Sequence, residues 1–373
     1  MFTPEDARHM ARAVALAERG LLTTRPNPRV GCVLVKDGVV VGEGAHLKAG
    51  EPHAEVHALR AAKEQARGAT AYVTLEPCSH FGRTPPCSQA LIEAGVAKVI
   101  AAMVDPNPKV SGRGLAMLEQ AGIATASGLM EAEAEALNPG FIHRMKTGLP
   151  YVRLKLAASL DGGTALANGE SKWITGPQAR QDVQRWRARS DALITGADTV
   201  LADNPSMNVR HGELGHWQSR IDAERLLQPL RVVVDGQARL RPPLKLVELP
   251  GPVLLASHTP YTTAWPESVE NWQGPKQGDK LDLHALLAEL GQREINEVWV
   301  EAGPNLCGAF IQQGLWQELI LYQAPKLMGH HARGLLALPE YEQMNQLPEI
   351  EVIDLRRIGN DVRWVLKPLE RSN

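Results

Sequence analysis

The stretch from His53 to Cys87 constrains this chain more than any other part of it. His53-Ala54-Glu55 is followed by Pro77-Cys78, and Cys87 lies nine residues after Cys78. One imidazole and two thiols make the donor set of a zinc ion that keeps its fourth position for water. A chain that holds such an ion must bring separate elements to one point. The pattern around the three residues allows this. His53 to Ala66 is Ala-rich and reads as a helix, Ala71 to Leu75 as a short strand and Ser88 to Ala94 as a helix. Pro77-Cys78 reads as the opening of a helix just after that strand, which would set the Cys78 thiolate against the positive end of a helix dipole.

The residue types also suit a particular chemistry. Zinc deaminases use one His and two Cys as ligands, with a Glu close to the His that moves protons and does not bind the metal. Zinc lowers the pKa of a bound water to ~7, so a hydroxide is available to attack the ring carbon that bears the amino group. Glu55 would take the water proton and pass it to the ring nitrogen and then to the departing ammonia. The short form of the motif has two residues between the cysteines, whereas eight stand here. Ligand geometry depends on the fold, so a longer insert is compatible with the site. Taken singly, a His in an Ala-rich helix is usually a surface residue and a lone Cys a small hydrophobe. Cys32 and Cys307 are read in that way. A purely structural zinc is the alternative for the set. Four cysteines in 373 residues are not a disulfide scaffold.

The length exceeds one ordinary core and suggests two or three domains. Thr3-Pro4-Glu5-Asp6 has the form of a capped helix start, and Gly20 is read as the end of that helix. Arg29 to Lys36 and Val39 to Gly44 are strand-like around Asp37-Gly38, a hairpin signal. Further strands and helices alternate through Val96 to Val104 and Arg113 to Ala121, as in an α/β layer. Gly148 and Pro150 punctuate the chain, so the division falls at 1–147 and 148–373. A second α/β series follows. Its strands are Tyr151 to Ala158, Ala192 to Thr195, Arg231 to Val234, Pro252 to Ala256 and Glu297 to Val300, and Gly176 to Arg189 is a helix. Thr175-Gly176-Pro177-Gln178 repeats the capping pattern. The stretches 211–227 and 260–280 read as loops. Val298 to Gly308 reads as strand, tight turn and helix, with Gly303 placed to let a phosphate approach the helix N-terminus. This is a moderate dinucleotide signal, since it lacks the G-x-G-x-x-G spacing. Lys155 in an apolar strand suggests a substrate role, or a snorkelling side chain.

Net charge is −2, and no basic run of five or more occurs, which argues against a nucleic-acid partner. No apolar stretch approaches ~18 residues, so no membrane span is expected. Met1 to Gly20 lacks the apolar core of a signal peptide, and a cytoplasmic location is expected.

The longer motifs resemble a known family. Pro26-Asn27-Pro28-x-Val30-Gly31, His53-Ala54-Glu55 and the run Thr74-Leu75-Glu76-Pro77-Cys78-Ser79-His80-Phe81-Gly82-Arg83-Thr84-Pro85-Pro86-Cys87 are similar to the bifunctional riboflavin-biosynthesis deaminase/reductases. So are Lys155 to Gly162, Trp173-Ile174-Thr175, Asp203-Asn204-Pro205 and Glu301 to Leu306. The resemblance implies a cytidine-deaminase-like α/β/α layered domain followed by a dihydrofolate-reductase-like α/β domain. It implies deamination of 2,5-diamino-6-(5-phosphoribosylamino)pyrimidin-4-one, then reduction of the ribosyl group to ribityl with NADPH. Its cofactors are Zn2+ and NADPH. In the first domain it implies that Asn27, His46, His80, Arg83, Asp105 and Asn107 face the substrate. His80 and Arg83, lying between two ligands in sequence, must be near the metal, where they suit a phosphate or ribose. In the second domain it implies that Ala157, Trp173, Thr199, Asp203, Gly303, Pro304, Asn305, Leu306, Cys307 and Gly308 contact NADPH. Ser171, Arg187, Met207, Arg210 and Glu301 would then face the sugar phosphate, with Lys155 beside them. Against this, Arg187 lies in a charged helix and Trp173 could be core. The family also leads to an expected homodimer or homotetramer. A nucleoside or tRNA-base deaminase with a non-catalytic ligand-binding second domain is the alternative reading.

Overall fold

The computed structural model describes residues 1–79, 86–108 and 110–369. The chain forms two compact units, Met1–Leu149 and Pro150–Asn373.

The first unit runs α1 (Pro4–Ala17), β1 (Gly31–Lys36), β2 (Val39–Ala45), α2 (Ala54–Ala62), β3 (Thr70–Val73), α3 (Cys87–Ala94), β4 (Lys98–Ala101), α4 (Arg113–Gln120), β5 (Ala124–Ser127), α5 (Glu131–Leu137) and α6 (Pro139–Thr147). Thr3 and Asp6 form the reciprocal cap at the start of α1. That helix ends at Ala17, followed by a 3-10 turn to Gly20. The β1–β2 hairpin turns at Asp37 and Gly38, both left-handed with φ of 51° and 75°, as an Asp-Gly turn requires. The sheet order is β2-β1-β3-β4-β5, antiparallel at β2-β1-β3 and parallel thereafter. Glycines let helices close on both faces. A Cβ at Gly31 would stand 2.0 Å from the carbonyl of Ala13 in α1, and one at Gly44 would stand 2.1 Å from that of Ala54 in α2. Gly31 and Gly44 lie one register step apart on opposite faces. Hence α1 and α2 sandwich the sheet, giving the α/β/α layers. The core between them includes Met10, Cys32, Leu34, Leu91 and Ile100.

The second unit runs β6 (Tyr151–Ser159), α7 (Pro177–Arg189), β7 (Ala192–Gly196), α8 (Ala197–Asp203), β8 (Leu230–Val234), α9 (Lys245–Glu248), β9 (Val253–Ser257), β10 (Val269–Gln273), β11 (Lys276–Gln277), β12 (Lys280–Leu281), α10 (Leu283–Gln292), β13 (Glu297–Glu301), α11 (Pro304–Gln312), β14 (Glu318–Ala324), β15 (Ile350–Ile358) and β16 (Asp361–Pro368). Its main sheet has nine strands in the order β10-β9-β8-β7-β13-β6-β14-β16-β15. Strands β10 through β14 in that order are parallel, and β16 and β15 add an antiparallel hairpin. The central strands are apolar on both faces, as a covered parallel sheet requires. β13 inserts between β6 and β7, so the carboxyl ends of these three strands form the crevice where open α/β sheets bind ligands.

Several local expectations are corrected. Pro77-Cys78 opens no helix; α3 begins at Cys87. Gly176 caps α7 without a side-chain cap, and Asp361 Oδ2 accepts its N–H at 2.7 Å instead. The stretch 260–280 holds β10, which pairs with β9. No helix among the described residues is long and apolar enough to cross a membrane.

Candidate functional site

In the first unit α2 lies flush against β2 because Gly42 and Gly44 carry no side chain. A Cβ at either would fall within 2.3 Å of an α2 carbonyl. That contact fixes the start of α2. His53 is its N-cap, in extended conformation, and its imidazole makes no cap bond. The ring instead turns Nδ1 towards two sulfurs, at 3.3 Å from Cys87 Sγ and 3.7 Å from Cys78 Sγ. The three donor atoms lie within 4.8 Å of one another. Cys87 is the first residue of α3, and its N–H donates to Cys78 Sγ at 3.3 Å. The helix end therefore does favour the Cys78 thiolate, although Cys78 itself precedes the helix. Hydrogen bonding from Cys87, opposed by burial and reinforced by His53, brings the Cys78 thiol down to about 4. The same Cys78 contact, with burial, pushes Cys87 up.

Glu55 sits in the first turn of α2 and is 3% exposed. Its Oε2 has no hydrogen-bond partner among the described residues. Burial raises its carboxyl to about 7, a value suited to giving and taking a proton near neutrality. An imidazole nitrogen and two sulfurs around one point, with a buried carboxyl that has one oxygen unpartnered beside them, fit a zinc ion with an open position.

His46 is buried beside this cluster, with its ring edge-on to that of His53 at 5.2 Å. Its Nδ1 is 3.2 Å from the Pro52 carbonyl and its Nε2 3.1 Å from Asn27 Nδ2. Those partners assign a neutral ring that donates at Nδ1 and accepts at Nε2, and burial keeps its pKa low. Asp105 follows β4, with its carboxyl raised to about 6 by burial, and accepts the N–H of Asn107 at 2.8 Å. His80 and Arg83 lie outside the described residues. Glu76, inside the same motif, is the residue whose role the sequence does not reveal. Its partners are backbone groups far along the chain, so no sequence pattern marks them.

In the second unit Lys155 and Glu301 are register partners on β6 and β13. Glu301 is bound bidentately by Arg187, at 2.5 and 2.8 Å, and by the Trp299 indole at 2.8 Å. Burial alone would raise its carboxyl, but Arg187, Lys155 and Trp299 outweigh this and hold it at about 2. Burial lowers the Lys155 ammonium. Arg187 also donates to the Asn208 carbonyl at 3.1 Å, so each guanidinium nitrogen has a protein partner. Arg210 likewise grips Glu213 at 2.5 and 2.7 Å. Met207 is 3% exposed and packs with Trp299 and Tyr322. Its side chain is part of the core. Ala157 borders the same cluster.

Trp173 is 64% exposed, so it is not core, and Arg180 covers its ring at 4.5 Å. Between Ser171 and Trp173, Lys172 pairs with Asp203 at 2.9 Å, which links this loop to α8 and its half-buried Thr199. Gly303 is the N-cap of α11, with Pro304 next and Asn305 exposed. A Cβ at Gly303 would meet nothing within 4 Å, so the helix end is open and suited to a phosphate-bearing cofactor. Leu306 packs 3.5 Å from a Cβ at Gly196. Cys307 and Gly308 are buried in the same helix. The Cys307 thiol reaches the Ala302 carbonyl at 3.5 Å, and a Cβ at Gly308 would stand 2.2 Å from that of Ala337.

Known proteins match both units. Residues 3–103 match the cytidine and deoxycytidylate deaminase zinc-binding region, and residues 150–364 match the RibD C-terminal domain. The chain is 56% identical to the riboflavin biosynthesis protein RibD of Escherichia coli, over 96% of this chain and 98% of that one. It is 52% identical to that of Haemophilus influenzae, over 98% of each. Acinetobacter baumannii RibD superposes with a TM-score of 0.90 at 48% identity, covering 98% of this chain and 99% of that one. A Thermotoga maritima diaminohydroxyphosphoribosylaminopyrimidine deaminase/5-amino-6-(5-phosphoribosylamino)uracil reductase superposes at 0.85 with 31% identity, covering 98% and 99%. The first of these matches is to a zinc-binding region, and it contains His53, Cys78 and Cys87. By these matches across nearly its whole length, the chain belongs to the RibD family and is a bifunctional deaminase and reductase of riboflavin biosynthesis.

Proposed function

We propose that Met1–Leu149 deaminates 2,5-diamino-6-(5-phosphoribosylamino)pyrimidin-4-one and that Pro150–Asn373 reduces the ribosyl group of the product to ribityl. The observation that carries this is the convergence of His53 Nδ1, Cys78 Sγ and Cys87 Sγ beside the Glu55 carboxyl, whose Oε2 has no hydrogen-bond partner among the described residues. Zinc held by the three supplies the Lewis acidity that makes a water nucleophilic near neutral pH. Glu55 carries the proton from that water to the pyrimidine ring nitrogen and on to the amino group that leaves as ammonia. Asn27, fixed by His46, and Asp105 and Asn107 on the loop after β4 orient the pyrimidine. His80 and Arg83 are assigned to the ribose phosphate on sequence grounds.

In the second unit NADPH supplies the hydride when bound. The open start of α11 at Gly303, with Pro304 and Asn305, receives its phosphates, and Trp173, Thr199 and Asp203 flank it. Lys155 and Glu301 face the sugar, with Ser171 and Arg210 at its phosphate. Arg187 acts mainly by holding Glu301. The test is one preparation assayed twice. Ammonia should be released from the diaminopyrimidine substrate and not from nucleosides or tRNA, and NADPH should be oxidised only with the deaminated product. Ammonia from nucleosides with no NADPH oxidation would favour the alternative reading.

The same reading includes a cytoplasmic homo-oligomer, a dimer or tetramer. The edge strand β15 supports association of copies, because Ile350, Val352, Ile353 and Leu355 are about half exposed on a free edge.

A further inference from the structure

Glu76 follows β3, two residues before Cys78, and is buried. It is not one of the metal donors. Its two oxygens accept four backbone N–H groups from a distant segment. Oε2 takes those of Asp105 at 3.1 Å and Gly112 at 2.9 Å, and Oε1 those of Gly114 at 2.8 Å and Leu115 at 3.3 Å. The N–H of Glu76 in turn donates to the Met103 carbonyl at 3.0 Å. Gly112 is the N-cap of α4 and has no side chain with which to cap it. The Glu76 carboxylate supplies that cap, and the positive end of α4 favours its charge. Gly114 completes the contact from the other side, since a Cβ there would lie 1.9 Å from the Pro77 carbonyl. The segment so held carries Asp105 and Asn107.

We propose that Glu76 is a positioning residue of the deaminase. With Gly114 it clamps the segment from Asp105 to Leu115 to the strand end that leads to Cys78, so that Asp105 and Asn107 stand at a fixed distance from the metal donors. The inference rests on the reading that these two residues face the pyrimidine. The chemistry requires a carboxylate at this position. Four N–H donors need an acceptor with two oxygens, and an amide would turn its own NH2 towards two of them. Asp keeps both oxygens but is one methylene shorter.

The test uses the full chain at saturating zinc, with steady-state ammonia release, zinc per chain and the reductase rate read on each variant. Glu76→Gln should raise KM for the diaminopyrimidine about tenfold or more, with zinc content and reductase rate unchanged. Glu76→Asp should recover part of the loss. Once Asn107→Ala is in place, Glu76→Gln should add little, because both act on one contact. An unchanged KM in Glu76→Gln, fully additive effects with Asn107→Ala, or loss of zinc in step with activity would each overturn the clamp. If Asn107→Ala and Asp105→Ala themselves leave KM unchanged, the reading of the site fails instead. Should Glu76→Gln be recovered unfolded, Glu76→Asp decides the question, because it keeps both oxygens and the charge: a KM equal to the wild type's would overturn the clamp.

Discussion

Glu55 and Glu301 are both buried carboxylates, and their surroundings push them in opposite directions. Glu55 has one oxygen without a partner among the described residues and is raised to about 7, the state of a group that exchanges protons. Glu55→Gln should lower deamination by ~10²–10⁴-fold or more, the usual contribution of a general acid–base group. Zinc per chain should be unchanged, since Gln keeps the shape and Glu55 is not a ligand. Near-normal ammonia release from this variant would remove Glu55 from the mechanism. Glu301 is held at about 2 by Arg187 and Lys155 against burial. Its folded value lies below the unfolded value of about 4.3, so its pairing stabilises fully above that pH and is lost as pH falls towards 2. Denaturant unfolding of the second unit should therefore weaken across that window in the wild type and weaken less in Glu301→Gln. Identical pH slopes would mean that the pair carries no acid-sensitive stability.

At the scale of elements, the metal site depends on how closely α2 can lie on β2. Gly44→Ala would place a Cβ 2.1 Å from the Ala54 carbonyl, at the first residue of the helix that follows His53. Helix α2 must move outward, at a cost of about 1–3 kcal/mol for overpacking. We predict a lower Tm for the first unit together with weakened zinc retention on dialysis. A normal Tm with full zinc would show that α2 can shift without disturbing the ligands. The same elements show what the sequence could reveal. The cap at Thr3, the turn at Asp37-Gly38 and the candidate donors His53, Cys78 and Cys87 are read from neighbouring residues, because their partners are a few positions away or their chemistry is unusual. Glu76 and Asp361 were not legible, since each caps a helix from a remote strand end. The strand β10 was missed because Val269–Gln273 is mostly exposed and polar at the sheet edge, so it lacks the apolar run that marks β7 or β13. Met207, Cys307 and Gly308 enter the reductase site by resemblance alone; the side chains of Met207 and Cys307 are buried, so any contact they make there is through the backbone.

Across the whole molecule, the candidate metal cluster found among the described residues lies in the unit Met1–Leu149, and the open α11 start and the Lys155–Glu301 pair lie in Pro150–Asn373. Each unit has its own sheet and its own core, and each exceeds the ~50–70 residues at which independent folding becomes practical. The central claim is that the first unit is by itself a zinc deaminase. The most direct measurement is zinc content and ammonia release from the diaminopyrimidine substrate for a truncated chain of residues 1–149. The account predicts one zinc per chain and deamination without any NADPH oxidation. A folded 1–149 chain that holds no zinc, or that holds zinc and releases no ammonia while the full chain does, would contradict it.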